Sequence, residues 1–152
     1  MALQDTINEL FRQVGPAEEL FAVDAYAAEA MWHVAVDDSS VLFAELDAKR
    51  RMLVLSADLG RPRADDQARI YALVLRYSHA WTATGGMRIS LDGDGGALWL
   101  LADHAADTLD LGALGGAIRQ FAAVAAAWRE IVGKGSTSAT AIDDFGFNAI
   151  RI

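Results

Sequence analysis

The three histidines, His33, His79 and His104, are the side chains best suited to move a proton near neutral pH or to hold zinc. They are scattered, and none falls in an H-x-x-x-H or H-E-x-x-H pattern, so no zinc site is signalled. The chain has no cysteine, which removes disulfides, thiolate metal sites and a cysteine nucleophile. Asp92-Gly93-Asp94-Gly95-Gly96 resembles the opening of a calcium loop, where carboxylates at alternate positions face one cation. Its fifth position is Gly96, its twelfth is Asp103 rather than a bidentate glutamate, and it falls between two expected strands. A hairpin turn is the better reading, because Gly and Asp supply the positive φ that tight turns need. Thr84-Gly85-Gly86 and Leu111-Gly112-Ala113-Leu114-Gly115-Gly116 lack both the G-x-G-x-x-G spacing and a Walker lysine, and the chain's two lysines are Lys49 and Lys134. No G-x-S-x-G elbow is present. The carboxylate pairs Asp37/Asp38, Asp65/Asp66 and Asp143/Asp144 sit at expected turns or a helix start and read as solvated caps. The residues therefore signal no catalytic group, no metal and no cofactor.

Charge and length narrow the function classes further. The chain has 152 residues, 21 acids against 13 bases and a formal net charge of −8. Sequence-independent nucleic-acid binding depends on Lys and Arg neutralising phosphates, and docking on anionic lipid has the same requirement, so both are disfavoured. With 53% apolar and 22% charged residues the chain is globular rather than disordered. Residues 1–10 carry Asp5 and Glu9 without a basic or apolar run, unlike a signal peptide. The least polar stretch, 109–128, contains Asp110 and Arg119 and reads as a soluble helix rather than a membrane span. These features place the chain in the cytoplasm, with no membrane insertion.

The elements follow from hydrophobic spacing. Leu3, Ile7, Leu10, Phe11 and Val14 form one face of a helix that Gly15-Pro16 is expected to stop. Residues 17–28 read as a short helical turn or an irregular lead-in. Segments 30–36, 41–46 and 52–57 then read as strands joined by short turns, which makes an antiparallel meander. A second helix opens at Asp65-Asp66 and carries Ile70, Leu73, Val74, Tyr77 and Trp81 on one stripe. Residues 87–91 and 97–102 read as a strand pair. Leu111, Leu114, Ile118, Phe121, Ala125, Trp128 and Val132 mark a final helix. The order is α-βββ-α-ββ-α, an α+β domain over residues 1–133 with an antiparallel sheet. Residues 134–152 read as a linker followed by an apolar tail with Phe145, Phe147, Ile150 and Ile152, expected to pack on apolar surface of this chain or a neighbour.

The strands offer apolar residues on both faces: Trp32 against Met31, Phe43 against Leu42, Trp99 against Leu100. A sheet covered on one side ordinarily shows a polar outer face, so part of this surplus is expected to be interface. The bland counterpart is that the same chain covers both faces. A small-molecule pocket lined by Trp32, Trp99 and His33 is the weaker reading, because convergent polar groups are missing.

The segments Leu53-Val54-Leu55-Ser56-Ala57-Asp58-Leu59-Gly60, Ile70-Tyr71-Ala72-Leu73-Val74-Leu75, residues 84–92 and Phe121 to Ile131, taken in this order and with the acidic charge, resemble the class I type III secretion chaperones of the CesT/Tir chaperone-like family. The resemblance spans residues 3–132. It implies a homodimer whose second helix and following strand make most of the contact, which points to Ile70, Leu73, Val74, Tyr77, Trp81, Met87 and Ile89. It also implies that the first helix and the outer face of the first strands hold the N-terminal segment of a secreted effector in extended form. Leu3, Ile7, Phe11, Trp32, Val34 and Phe43 are the residues indicated. Such a bacterial cytoplasmic protein needs neither ATP nor a nucleophile. The alternative is a regulator or scaffold of the same fold outside secretion, similar to the YbjN group.

Overall fold

Ile7, Phe11 and Val14 recur at helical spacing, and all three are buried along α1 (Leu3–Ala17) of the computed structural model. The structure describes residues 1–93 and 96–134. The tip of the Asp92–Gly96 turn, the Asp143/Asp144 pair and the apolar cluster of the 134–152 segment lie outside the described residues.

The expected stop at Gly15-Pro16 is displaced. Pro16 sits inside the last turn, and the helix closes just beyond it. The Leu20 N–H donates to the Gly15 carbonyl at 2.9 Å and the Glu19 N–H to the Pro16 carbonyl at 3.3 Å. Glu19 takes φ 54°, so the closure is a Schellman motif with glutamate at the position that favours glycine. The sequence signal pointed to the glycine already present, whereas the residue in the left-handed conformation carries a Cβ.

Six strands follow: β1 (Ala22–Tyr26), β2 (Met31–Ala35), β3 (Val41–Asp47), β4 (Met52–Gly60), β5 (Arg88–Leu91) and β6 (Leu98–Ala105). They form one antiparallel sheet in the order β1-β2-β3-β4-β6-β5, so β1 and β5 are its edges. The helices α2 (Gln67–His79) and α3 (Leu111–Lys134) complete the α+β arrangement. β1 corrects the expected three-strand meander to four strands, because 17–28 is not an irregular lead-in. Its sequence, Ala-Val-Asp-Ala-Tyr, has one β-branched residue and no clean alternation. Pairing with β2 in the register Ala22↔Ala35 to Tyr26↔Met31 makes it a strand. β4 also runs three residues past the expected end at Ala57.

The chain forms two compact units. In the first, residues 1–57 with 103–123, the buried set joins α1 to the inward residues of the meander: Trp32, Val34, Leu42, Ala44, Leu46, Leu53 and Leu55. Leu114, Ile118 and Phe121 of α3 belong to the same core. Arg119 donates to both the Glu18 carboxylate and the Glu18 carbonyl, tying α3 to the end of α1. Arg51 holds Asp107 through two nitrogens of its guanidinium, including Nε at 2.7 Å from Oδ2.

In the second unit, residues 58–102 with the rest of α3, Ile70, Leu73, Val74 and Tyr77 turn inward from α2. The Ile89 N–H of β5 donates to Ser78 Oγ at 3.0 Å, which fixes the strand to the helix. Buried Thr84 holds the turn before β5 by donating to the Met87 carbonyl at 3.0 Å. The rings of Tyr77 and Trp128 meet edge to face at 5.1 Å. α3 is long and apolar enough to cross a bilayer by length and composition. Its large apolar side chains, from Leu114 to Val132, are instead buried in the fold.

The strained Schellman position gives a direct test. Glu19→Gly keeps the left-handed conformation and removes its cost to a residue with a Cβ, roughly 1 kcal/mol, partly offset by the entropy of glycine in the unfolded chain. The expected outcome is a thermal midpoint about 2–4 °C higher by calorimetry.

Candidate functional site

α1 and β1 approach closely where Gly15 faces Val23, at a distance that leaves room for no more than ordinary contact. Between them lies a groove of about 810 Å³. Phe11 and Trp32 make its floor, stacked with ring centroids 4.7 Å apart and planes 10° from parallel. The Trp32 indole Nε1 donates to Asn8 Oδ1 at 3.0 Å. Asn8 and Phe11 are one helical turn apart, so the same face of α1 supplies both the stacking ring and the acceptor. Val23 and Ala25 of β1 and Leu20 of the helix closure make the apolar walls. Arg12, paired with Glu9, and Glu19 bring charge to the lining.

Of the residues the family resemblance assigned to effector binding, Phe11 and Trp32 underlie this groove, themselves almost wholly buried. Ile7 and Val34 are buried in the core of the first unit, and Leu3 is half-buried on α1. Phe43 lies on the other side of the meander, because it alternates with buried Leu42 and Ala44 along β3. Asn8, Leu20, Val23 and Ala25 were missed. Leu20, Val23 and Ala25 fall in 17–28, which the sequence left as a short helical turn or an irregular lead-in, and Asn8 lies off the apolar stripe of the first helix.

The residues assigned to the dimer contact divide differently. Ile70, Leu73, Val74, Tyr77, Met87 and Ile89 are buried within the chain itself. Trp81 is 63% exposed, and it stands with Leu75 (67%) and Leu91 (48%) among the exposed large apolar side chains of the second unit. Leu75 was findable, since a leucine off the apolar stripe of an amphipathic helix has no core to enter.

The polar groups are spent on local structure. Asp37 accepts from Ser39 N and Oγ, Asp47 from Arg50 N, Asp58 from Gly60 N, Asp92 from Ala97 N, and Asp110 caps α3 through Ala113 N at 2.7 Å. The two Ser39 hydrogen bonds hold the Asp37 carboxyl below its usual range. Among the described residues, no group of three or more His, Asp or Glu could hold a metal ion. Burial pushes the Tyr77 phenol up to about 12, partly offset by the neighbouring Trp128 indole. Burial pushes the His104 imidazole below its ordinary value, with Asp103 opposing.

The family model of the Tir chaperone protein (CesT) family matches residues 7–129. This chain belongs to that family. Solved structures share its fold. A chain of the ExsC–ExsE complex aligns with a TM-score of 0.74 and 20% identity, covering 90% of this chain and 100% of that one. A chain of the HopA1–SchA chaperone–effector complex aligns at 0.67 and 16% identity, covering 84% and 95%. The structure of the Yersinia pestis type III secretion chaperone SycH with a fragment of YscM2 aligns at 0.60 and 17% identity, covering 78% and 95%. No curated protein sequence matches this chain. The CesT match covers every residue that lines the groove, from Asn8 to Trp32.

His104 gives a pH test for the first unit. Its folded-state pKa lies below the unfolded value, so the unfolded chain takes up the proton first as pH falls. Stability is therefore complete above the ordinary imidazole range near 6.5 and declines below it, until the folded form also protonates. Denaturant titrations at pH 8 and pH 5.5 are expected to show a smaller difference for His104→Leu than for the unsubstituted chain.

Proposed function

We propose that this CesT-family protein is a type III secretion chaperone that binds an extended N-terminal segment of a secreted effector in the α1–β1 groove. The carrying observation is the groove itself: an apolar cleft with an aromatic floor, open along an edge strand. An extended peptide there can seat apolar side chains against Leu20, Val23 and Ala25, over the buried Phe11–Trp32 pair, and add its backbone to β1, whose outer edge pairs with no other strand among the described residues. Each apolar side chain fully buried contributes about 1.5–3 kcal/mol, which must offset the cost of association and of ordering the segment, so several anchors act together with the backbone pairing to hold it. The work is equilibrium binding, which needs neither ATP nor a catalytic residue. A net charge of −8 keeps a protein with such a cleft dispersed in the bacterial cytoplasm. The HopA1–SchA structure named above is a chaperone–effector complex with a chain of this fold, which supports the same kind of client here.

The same reading includes a homodimer. Leu75, Trp81 and Leu91 are its contact, in place of the buried stripe of α2. Light scattering of the full chain is expected to give twice the chain mass, and Leu75→Glu with Trp81→Glu is expected to give the single chain mass with the thermal midpoint largely kept.

The client is tested by purifying the full chain from its native host and identifying the polypeptide held with it. The complex is expected to co-purify at stable stoichiometry. Leu20→Glu and Val23→Glu, both in the groove walls and neither fully buried, are expected to lower affinity at least tenfold without changing the midpoint of unfolding. A chain that co-purifies with no secreted protein, or a complex indifferent to both variants, would end this reading.

A further inference from the structure

The face of the meander opposite the groove has a composition that a solvated sheet face does not need. Direct cross-strand pairing sets Asp24 against His33 and His33 against Phe43, and Tyr26 against Met31 and Met31 against Glu45. Paired residues share a face, so these six side chains form one contiguous surface of β1, β2 and β3. The rings touch: Tyr26 to His33 at 4.4 Å, and His33 to Phe43 edge-on at 4.7 Å. Tyr26 is 44% exposed, Asp24 and Glu45 are exposed, and the rings between them are half-buried. β1, β2 and β3 contain no lysine or arginine. Lys49 and Arg50 lie on the turn after β3, off the strands. A ring cluster flanked by two carboxylates, with no cation among these strands to satisfy them, is complementary to a cation carried on an apolar segment.

We infer that this face is a second docking surface for the proposed client, taking an extended segment that presents an arginine, with the guanidinium over the Tyr26–His33–Phe43 rings between Asp24 and Glu45. The inference rests on the client reading above and adds what that client must carry. Arginine is favoured over lysine because its planar guanidinium stacks on rings and forks to carboxylates at once. One strand separates the two surfaces: Val23 and Ala25 of β1 line the groove, while Asp24 and Tyr26 belong to the opposite face. A chain leaving the groove around this edge strand crosses a single sheet thickness, on the order of 10 Å or three to four extended residues.

The test uses the full chain, isotope-labelled, and two synthetic probes: acetyl-Ala-Val-Arg-Val-Ala-amide and its twin with norleucine for arginine. The arginine peptide is expected to shift the Tyr26, His33 and Phe43 ring resonances saturably, with at least about fivefold higher affinity than the norleucine peptide. Asp24→Asn with Glu45→Gln, both exposed and neither buried in the core, is expected to remove that advantage and leave the norleucine peptide unchanged. Equal binding of the two peptides, or indifference to the double variant, overturns the inference. So does movement of these resonances on dilution or in Arg151→Gln without peptide, since a second copy or this chain's own segment would then be the occupant. The Trp32 indole resonance reports the groove separately. Client binding that is lost at the groove while the arginine peptide still binds the outer face counts against the proposed function and not against this surface. An arginine peptide that moves Trp32 alone counts against this surface.

Discussion

The contact between Phe11 and Trp32 is the constraint on which the first unit depends. A stacked aromatic pair fixes both the distance between α1 and the meander and the rotation of α1 about its axis. Asn8, one turn away, holds the indole nitrogen, so the largest buried side chain of the meander leaves no polar atom unpaired at this junction. With α1 set at that height, Gly15 and the Schellman turn bring the chain back beside β2 as an edge strand. The cleft is what remains between a helix held off by two rings and a strand held close at a glycine.

Legibility followed the physics that each element uses. The meander from Met31 onward and the long stripes of α2 and α3 were readable, because burial on one face imposes a period of two or 3.6. β1 was not, since an edge strand with Ala-Val-Asp-Ala-Tyr owes its form to pairing with β2 rather than to its own pattern. The close of α1 misled for a local reason: Gly15-Pro16 looks like a terminator, yet the left-handed residue is Glu19. Of the groove's lining, Phe11 and Trp32 stand on legible stripes, while Leu20, Val23 and Ala25 depended on the unseen strand. A periodic stripe also does not say what it faces. Ile70, Leu73, Val74 and Tyr77 meet the inside of their own unit, whereas Trp81, expected on the same stripe, falls beyond the end of α2 at His79 and is exposed, as are Leu75 on the helix and Leu91 on β5.

The two-faced hydrophobicity of the strands divides in a way that composition alone could not show. One face of β1–β3 is closed by α1 and holds the cleft. The other is half-buried and edged with carboxylates, with Tyr26, His33 and Phe43 in contact across three strands. The acidity of the chain is thus local as well as global. Most of the aspartates near turns are engaged with backbone N–H groups, whereas Asp24 and Glu45 stand on the strands beside rings.

The pairing of Trp32 with Asn8 has one more consequence. The indole donor beneath the cleft is already spent on Asn8, so an incoming chain meets its polar groups at Arg12 and Glu19, and the walls of Leu20, Val23 and Ala25 offer shape and apolar area alone. Such a surface registers the volume of a residue and is nearly blind to its identity. Under the proposed function, a client segment seated there could exchange leucine for methionine or phenylalanine over generations and still fit, so that its sequence drifts without a matching change in this chain.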